Sequence, residues 1–240
     1  MIAGLPMYDW PELQAGNDTL WQDCARWLAL KGIAAPNALT RTGDLYDLWL
    51  SPQLLLAQTC SYPLETALRG KVSYVATPSY DCAGCEVPGH YRSVIIMAGA
   101  GAPMPVPDHT DAALPDWPKT ARLAYNGRDS MSGWQALARD LAKTGRAMPM
   151  HAFESGSHRQ SIQMVANGQA DLAAIDCVSW AHALAWEPAA RHVHVAGWTA
   201  MRPGLPLITR LGCTEAELDL LRDMARRHFD AVVLSAPTER

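Results

Sequence analysis

Between residues 121 and 198 the chain alternates short apolar runs with amphipathic stretches, and this alternation constrains the fold more than any other feature. The runs near 121–126 and 148–153, "DLAAID" at 171–176 and "HVHVAGW" read as strands. The stretches from about Ser132 and from about Ser157 read as helices. The first places Trp134, Leu137, Ala138 and Leu141 at i, i+3, i+4 and i+7, and the second places Ile162, Val165 and Ala166 on one face before Asn167-Gly168 ends it. Strands and helices in this alternation predict an α/β domain with a parallel or mostly parallel sheet covered by helices.

The remainder of the chain is less regular. "MIAGLPM" reads as a short strand, with Asp9 as the cap of a following helix, Pro11 in its first turn and Glu12 three residues after the cap. "LLLAQ" at 54–58, "KVSYVAT" and "YRSVIIMAG" read as further strands. Residues 99–118, "GAGAPMPVPDHTDAALPDWP", form the clearest compositional break and read as a crossover or surface excursion. The last helix, "TEAELDLLRDMARRHF", opens with the Thr214/Glu217 capping box and carries an apolar stripe at Leu218, Leu221, Ala225 and Phe229. That stripe needs a partner surface, which a return of the chain to its first half would supply. The expected architecture is two Rossmann-like lobes joined by two crossings, residues 1–98 plus 199–240 and residues 99–198, with a ligand cleft between them.

Several function classes are disfavoured. A net charge of −4 without a basic run or basic helix face argues against a nucleic-acid partner. No apolar run reaches the ~18 residues of a membrane span. "MIAGLPMYDW" has no basic n-region, long apolar core or small-residue cleavage site, so a periplasmic location requires an export signal outside this sequence, and a cytoplasmic one is expected otherwise. There is no GxSxG, HExxH, GxxxxGK[ST] or complete GxGxxG motif. No catalytic residue and no cofactor is expected. Of the six cysteines, Cys82 and Cys85 form half of a zinc or redox motif with no second CxxC, so no metal is expected. Buried thiols are the ordinary reading, and a disulfide such as Cys60 with Cys85 stays open for an exported protein.

Ligands of open α/β sheets sit beyond the carboxyl ends of the strands. Those ends here carry Tyr8, Gln58-Thr59, Asn126 to Gly133, "ESGSH" at 154–158, and Asp176, nearly all of them hydrogen-bonding residues. Several precede helix N-termini, whose unpaired N–H groups and positive dipole end favour an anion. In "YNGRDSMSGW", Ser130 and Ser132 offer hydroxyls and Gly133 a close backbone approach, suited to a phosphate, phosphonate, sulfonate or carboxylate; the same residues equally describe a capped helix with Ser130 as the cap. His158 at the next helix start fits either the same anion or a solvated first turn. Asp176 fits either a ligand amine or a helix cap. Trp10 and Trp134 could flank a ligand, and Tyr91-Arg92 could reach a cleft, although an arginine leading into a strand is usually solvated.

Taken in order, "LPMYD", "LLLAQTC", "YRSVII", "LAYNGRDSMSGW", "ESGSHRQSIQMVANGQADLAAID" and "PGLPLIT" resemble the phosphate/phosphite/phosphonate-type substrate-binding proteins of ABC importers over nearly the whole chain. The resemblance implies the type II periplasmic-binding-protein architecture and a monomer whose hinge closes on a small anionic ligand, with an ABC permease as partner. It implies that Ser130, Ser132 and Gly133 hold the head group, that His158 assists, that Asp176 meets a ligand amine, and that Tyr8, Gln58 and Thr59 contribute from the other lobe. A non-catalytic binding protein is therefore the leading expectation; an intracellular enzyme on the same fold and a ligand-sensing domain are the alternatives.

Overall fold

The computed structural model describes residues 1–235 and resolves the chain into two units: Met1–Tyr80 with Val87–Gly89 and the chain from Pro203 onward, and Asp81–Glu86 with His90–Arg202. The first unit opens with β1 (Ile2–Gly4), α1 (Gln14–Leu30), α2 (Leu45–Trp49), β2 (Leu54–Gln58), α3 (Ser61–Glu65) and β3 (Val72–Ala76). The second contains β4 (His90–Tyr91), β5 (Ser93–Ala98), β6 (Arg122–Tyr125), α4 (Ala136–Lys143), β7 (His151–Glu154), α5 (His158–Ala166), β8 (Leu172–Asp176), α6 (Cys177–Trp186) and β9 (Val193–Trp198). β10 (Arg202–Pro203) carries the chain out, and β11 (Leu207–Arg210) and α7 (Glu215–Phe229) complete the first unit.

Both main sheets are mostly parallel in strand direction, as expected for the second, with one reversed strand in each. The first runs β1-β2-β11-β3 and the second β7-β6-β8-β5-β9. β1 and β2 are parallel, as are β6 with β7 and β6 with β8. β11 is antiparallel to β2 and β3, and β5 is antiparallel to β8 and β9, so each sheet has one reversed strand. The physical reason is connectivity. A parallel neighbour requires a crossover, usually through a helix, and β5 and β11 are the strands entered directly after the chain changes unit.

In the first unit α1 and α7 cover one sheet face: Trp21, Cys24 and Leu28 meet Leu218, Leu221, Met224 and Ala225 over Leu56, Val75 and Leu207. Leu48, Trp49, Leu54, Ala57, Leu68, Val72 and Ile208 fill a separate core. The adjacent residues Leu207 and Ile208 belong to different cores because strand side chains alternate faces. The capping box of α7 forms as the sequence specifies: Thr214 Oγ1 accepts from Glu217 N–H, and the Glu217 carboxylate accepts from Thr214 N–H. In the second unit Ile95, Leu123, Leu137, Leu141 and Leu172 cluster under α4.

Three local expectations fail. α1 starts at Gln14 with no side-chain cap, and Asp9 instead accepts from Asn17 at 2.8 Å and pairs with Arg41. Strand β5 lies in the second unit's sheet, so the expected boundary after residue 98 falls later than the change of unit. The Gly/Pro-rich segment is fastened within the second unit. Ala113 and Trp198 exchange backbone hydrogen bonds at 2.8–2.9 Å, and Arg92, 1% exposed rather than solvated, donates to the carbonyls of His109, Asp111 and Thr199. A buried guanidinium is tolerable when its two terminal nitrogens are met in this way, although Nε finds no partner among the described residues.

Candidate anion-binding site

β6 ends at Tyr125, and the next ten residues reverse the chain into a π-helical turn, Met131–Gln135, which leads into α4. Wide turns of this kind are rare and recur at functional sites. Ser130 is the N-cap, its Oγ accepting from Gly133 N–H at 3.1 Å. Ser132 Oγ lies 3.4 Å from Ser130 Oγ and 2.8 Å from His158 Nε2. His158 is the first residue of α5, whose cap is Ser157. The fronts of two successive helical segments therefore meet through one serine–histidine contact.

Gly133 is fixed by close packing. A methyl group at this position would stand 1.8 Å from Asn126 Oδ1 and 3.4 Å from His158 Cε1. Asn126 Oδ1 and His158 Nδ1 are both buried and have no hydrogen-bond partner among the described residues. Leaving such atoms unpaired costs about 1–3 kcal/mol each, so these two are poised for a polar guest. A half-turn of the Asn126 amide would present its NH2 group to an oxyanion. Burial pulls His158 down from 6.5 to about 4, which keeps the ring neutral near pH 7. A neutral imidazole still supplies one N–H, and with the proton on Nδ1 the Nε2 atom accepts from Ser132.

Ser93, which the sequence did not single out, and residues inside the two named stretches hold this arrangement. Ser93 Oγ donates to Ser132 O at 3.0 Å, and Ser155 Oγ both donates to Tyr125 O and meets Ser161 Oγ at 2.7 Å, tying the approach to α5 against the end of β6. Arg128 stacks over Trp134 at 3.6 Å and over Tyr125 at 4.9 Å, adding a cation beside the turn. A serine buried in a strand carries no local signature of this role.

Asn126, Ser130, Ser132, Gly133 and His158 thus come together. The other candidates are placed differently. The Trp134 ring packs edge-on to Tyr125, 4.6 Å between centroids, and against the core under α4. Asp176, 1% exposed, caps α6: its Oδ1 accepts from the N–H groups of Val178 and Ser179. Tyr91 is buried in β4. In the first unit, Tyr8 ends a 3-10 turn and meets Tyr80 edge-on at 5.2 Å, while Gln58 Nε2 donates to Tyr80 Oη at 2.8 Å. Thr59 is fully buried, its N–H bonded to Pro206 O. Tyr80, which joins Tyr8 to Gln58, was not among the sequence candidates.

Replacing Gly133 by alanine should displace Asn126 and weaken anion binding at least about tenfold, the scale of one lost hydrogen bond to a charged group. Helix propensity favours alanine by about 1 kcal/mol, which partly offsets an overpacking cost of about 1–3 kcal/mol, so a slightly lowered melting temperature with clearly weakened binding is the expected pair of results. Binding equal to that of the unaltered chain would show that Asn126 yields without consequence.

Two α/β units, each with one reversed strand, define the class as the type II periplasmic-binding fold, and solved structures agree. PhnD1 of Prochlorococcus marinus in complex with methylphosphonate superposes with a TM-score of 0.66 at 13% identity, over 93% of this chain and 82% of that one. A Xanthomonas citri protein with bound chloride gives 0.64 at 14% identity over 99% and 92%. The binding-protein component of a Pseudomonas aeruginosa ABC phosphonate transporter gives 0.62 at 17% over 92% and 72%. Among curated proteins no significant match is found. Residues 56–226 match the family described as "ABC transporter, phosphonate, periplasmic substrate-binding protein", and the chain belongs to that family. Among the described residues no helix is long and apolar enough to cross a membrane.

Proposed function

We propose that the turn at residues 126–133 and the start of α5 bind the phosphonate or phosphate head of a small metabolite, and that the chain serves an ABC importer as its periplasmic solute-binding component. The observation that carries this reading is the 2.8 Å contact between Ser132 and His158, which joins two helix fronts around the unpartnered polar atoms of Asn126 and His158. Helix N-termini offer N–H groups and a positive dipole end to an anion, and hydroxyls add donors that need no counter-charge. Family membership supports the import role, a permease as partner and a periplasmic setting. The protein is taken to act as a monomer.

Isothermal calorimetry against phosphate, phosphite, alkyl phosphonates and alkyl sulfonates tests the reading. One-to-one binding of at least one phosphorus oxyanion, stronger than that of the matched sulfonate, is expected. A silent panel, or a preference for uncharged or cationic solutes, would overturn it.

A further inference from the structure

We propose that Cys82, Cys85 and Cys177 form a zinc-binding site in the second unit, separate from the anion site and independent of its assignment. Their three sulfur atoms lie within 4.8 Å of one another, with Cys82 Sγ 3.6 Å from Cys85 Sγ and Cys85 Sγ 3.4 Å from Cys177 Sγ. The CxxC pair lacks a second CxxC in sequence, which is why no metal was expected. Folding supplies the third thiol from a residue 92 positions downstream of Cys85.

The local backbone is shaped for this meeting. Cys85 N–H bonds to Cys82 O at 3.0 Å, closing a tight turn, and Gly84 adopts a φ of +99°. A methyl group at residue 84 would lie 2.9 Å from Cys177 Cβ and from Trp198 Cζ3, so only glycine lets the loop press this close. Cys177 is the first residue of α6, and its N–H bonds to Arg92 O at 3.1 Å, which fixes its side of the site.

The charged surroundings have a mixed sign that a divalent cation resolves. Asp176 is buried beside Cys177, and Glu86 accepts from Gly84 N–H at 2.7 Å; the opposing charge is Arg92, already engaged by backbone carbonyls. Zinc binds such sulfur atoms as thiolates, so loading the site would release their protons to solvent. Three thiolates with an imidazole or a water form a tetrahedral set typical of zinc.

The test uses the full chain, stripped by chelator under reducing anaerobic conditions, reloaded with zinc and gel-filtered. Elemental analysis should give one zinc per chain, and zinc should protect Cys82, Cys85 and Cys177, but not Cys213, from alkylation mapped by mass spectrometry. Cobalt in place of zinc should give a near-ultraviolet thiolate-to-metal absorption band. Cys82→Ser and Cys177→Ser should lose metal and band while Cys213→Ser keeps both, with circular dichroism reporting the fold of each. Absence of zinc from the reloaded unaltered chain, retention by Cys177→Ser equal to the unaltered chain, or a mass two hydrogens lower with Cys82 and Cys85 joined would each overturn the site.

Discussion

Ser132→Ala is expected to weaken binding of a phosphorus oxyanion by about tenfold to a hundredfold, corresponding to a hydrogen bond to a charged partner worth about 1.5–3 kcal/mol. The hydroxyl stands between Ser130 Oγ and His158 Nε2, and by donating to Nε2 it keeps the imidazole proton on Nδ1, so its removal frees the ring that presents this proton to the anion and leaves the imidazole without its protein partner. Because His158 Nδ1 already lacks one, the ring would be unpaired at both nitrogens. His158→Ala should therefore not add its full cost to Ser132→Ala, and a double-mutant cycle should show a coupling of at least about 0.5 kcal/mol. Calorimetric titration of the single and double variants checks both statements. An affinity within twofold of the unaltered chain for Ser132→Ala would remove the serine–histidine contact from the binding site and leave it as a structural tie.

The second large effect concerns what holds α4 behind that turn. Asp140→Ala should destabilise the second unit by about 3–5 kcal/mol, the cost of leaving one member of a buried ion pair without the other. Asp140, 2% exposed, accepts from Ala200 N–H and from Arg202 Nη2, each at 2.8 Å. The variant strands both donors at the point where the chain leaves the unit. Asp140→Asn keeps an acceptor for Ala200 and should fall between alanine and the unaltered chain. Urea unfolding followed by intrinsic fluorescence reads the difference, with separate transitions fitted if the two units unfold independently. A loss below about 1 kcal/mol for Asp140→Ala would place the pair among interactions that solvent already screens.

Much of the site was legible because its parts are local. Ser130, Ser132 and Gly133 crowd one strand-to-helix reversal, and "SGSH" marks the next helix start, so residue type and spacing pointed to both fronts. Asp176 was legible only as an alternative, since a carboxylate before a helix reads equally as ligand contact and as cap, and the bonds to Val178 and Ser179 display the cap. Ser93 and Tyr80 were invisible: each acts across strands or loops, and nothing in its neighbours' sequence differs from an ordinary buried polar residue.

The amino-acid order by itself determined the apolar runs that become strands, the stripe on α7 and its capping box, and the polar reversals at the strand ends, because periodicity and capping depend on residues within a few positions of one another. Tertiary structure alone decided the reversed directions of β5 and β11, the pairing of Asp9 with Arg41, the burial of Arg92 under residues 109–111, and the arrival of Cys177 beside the CxxC loop. These contacts join residues about 20 to 150 positions apart, and their energies depend on which surfaces the whole chain brings together, which no short window of sequence contains.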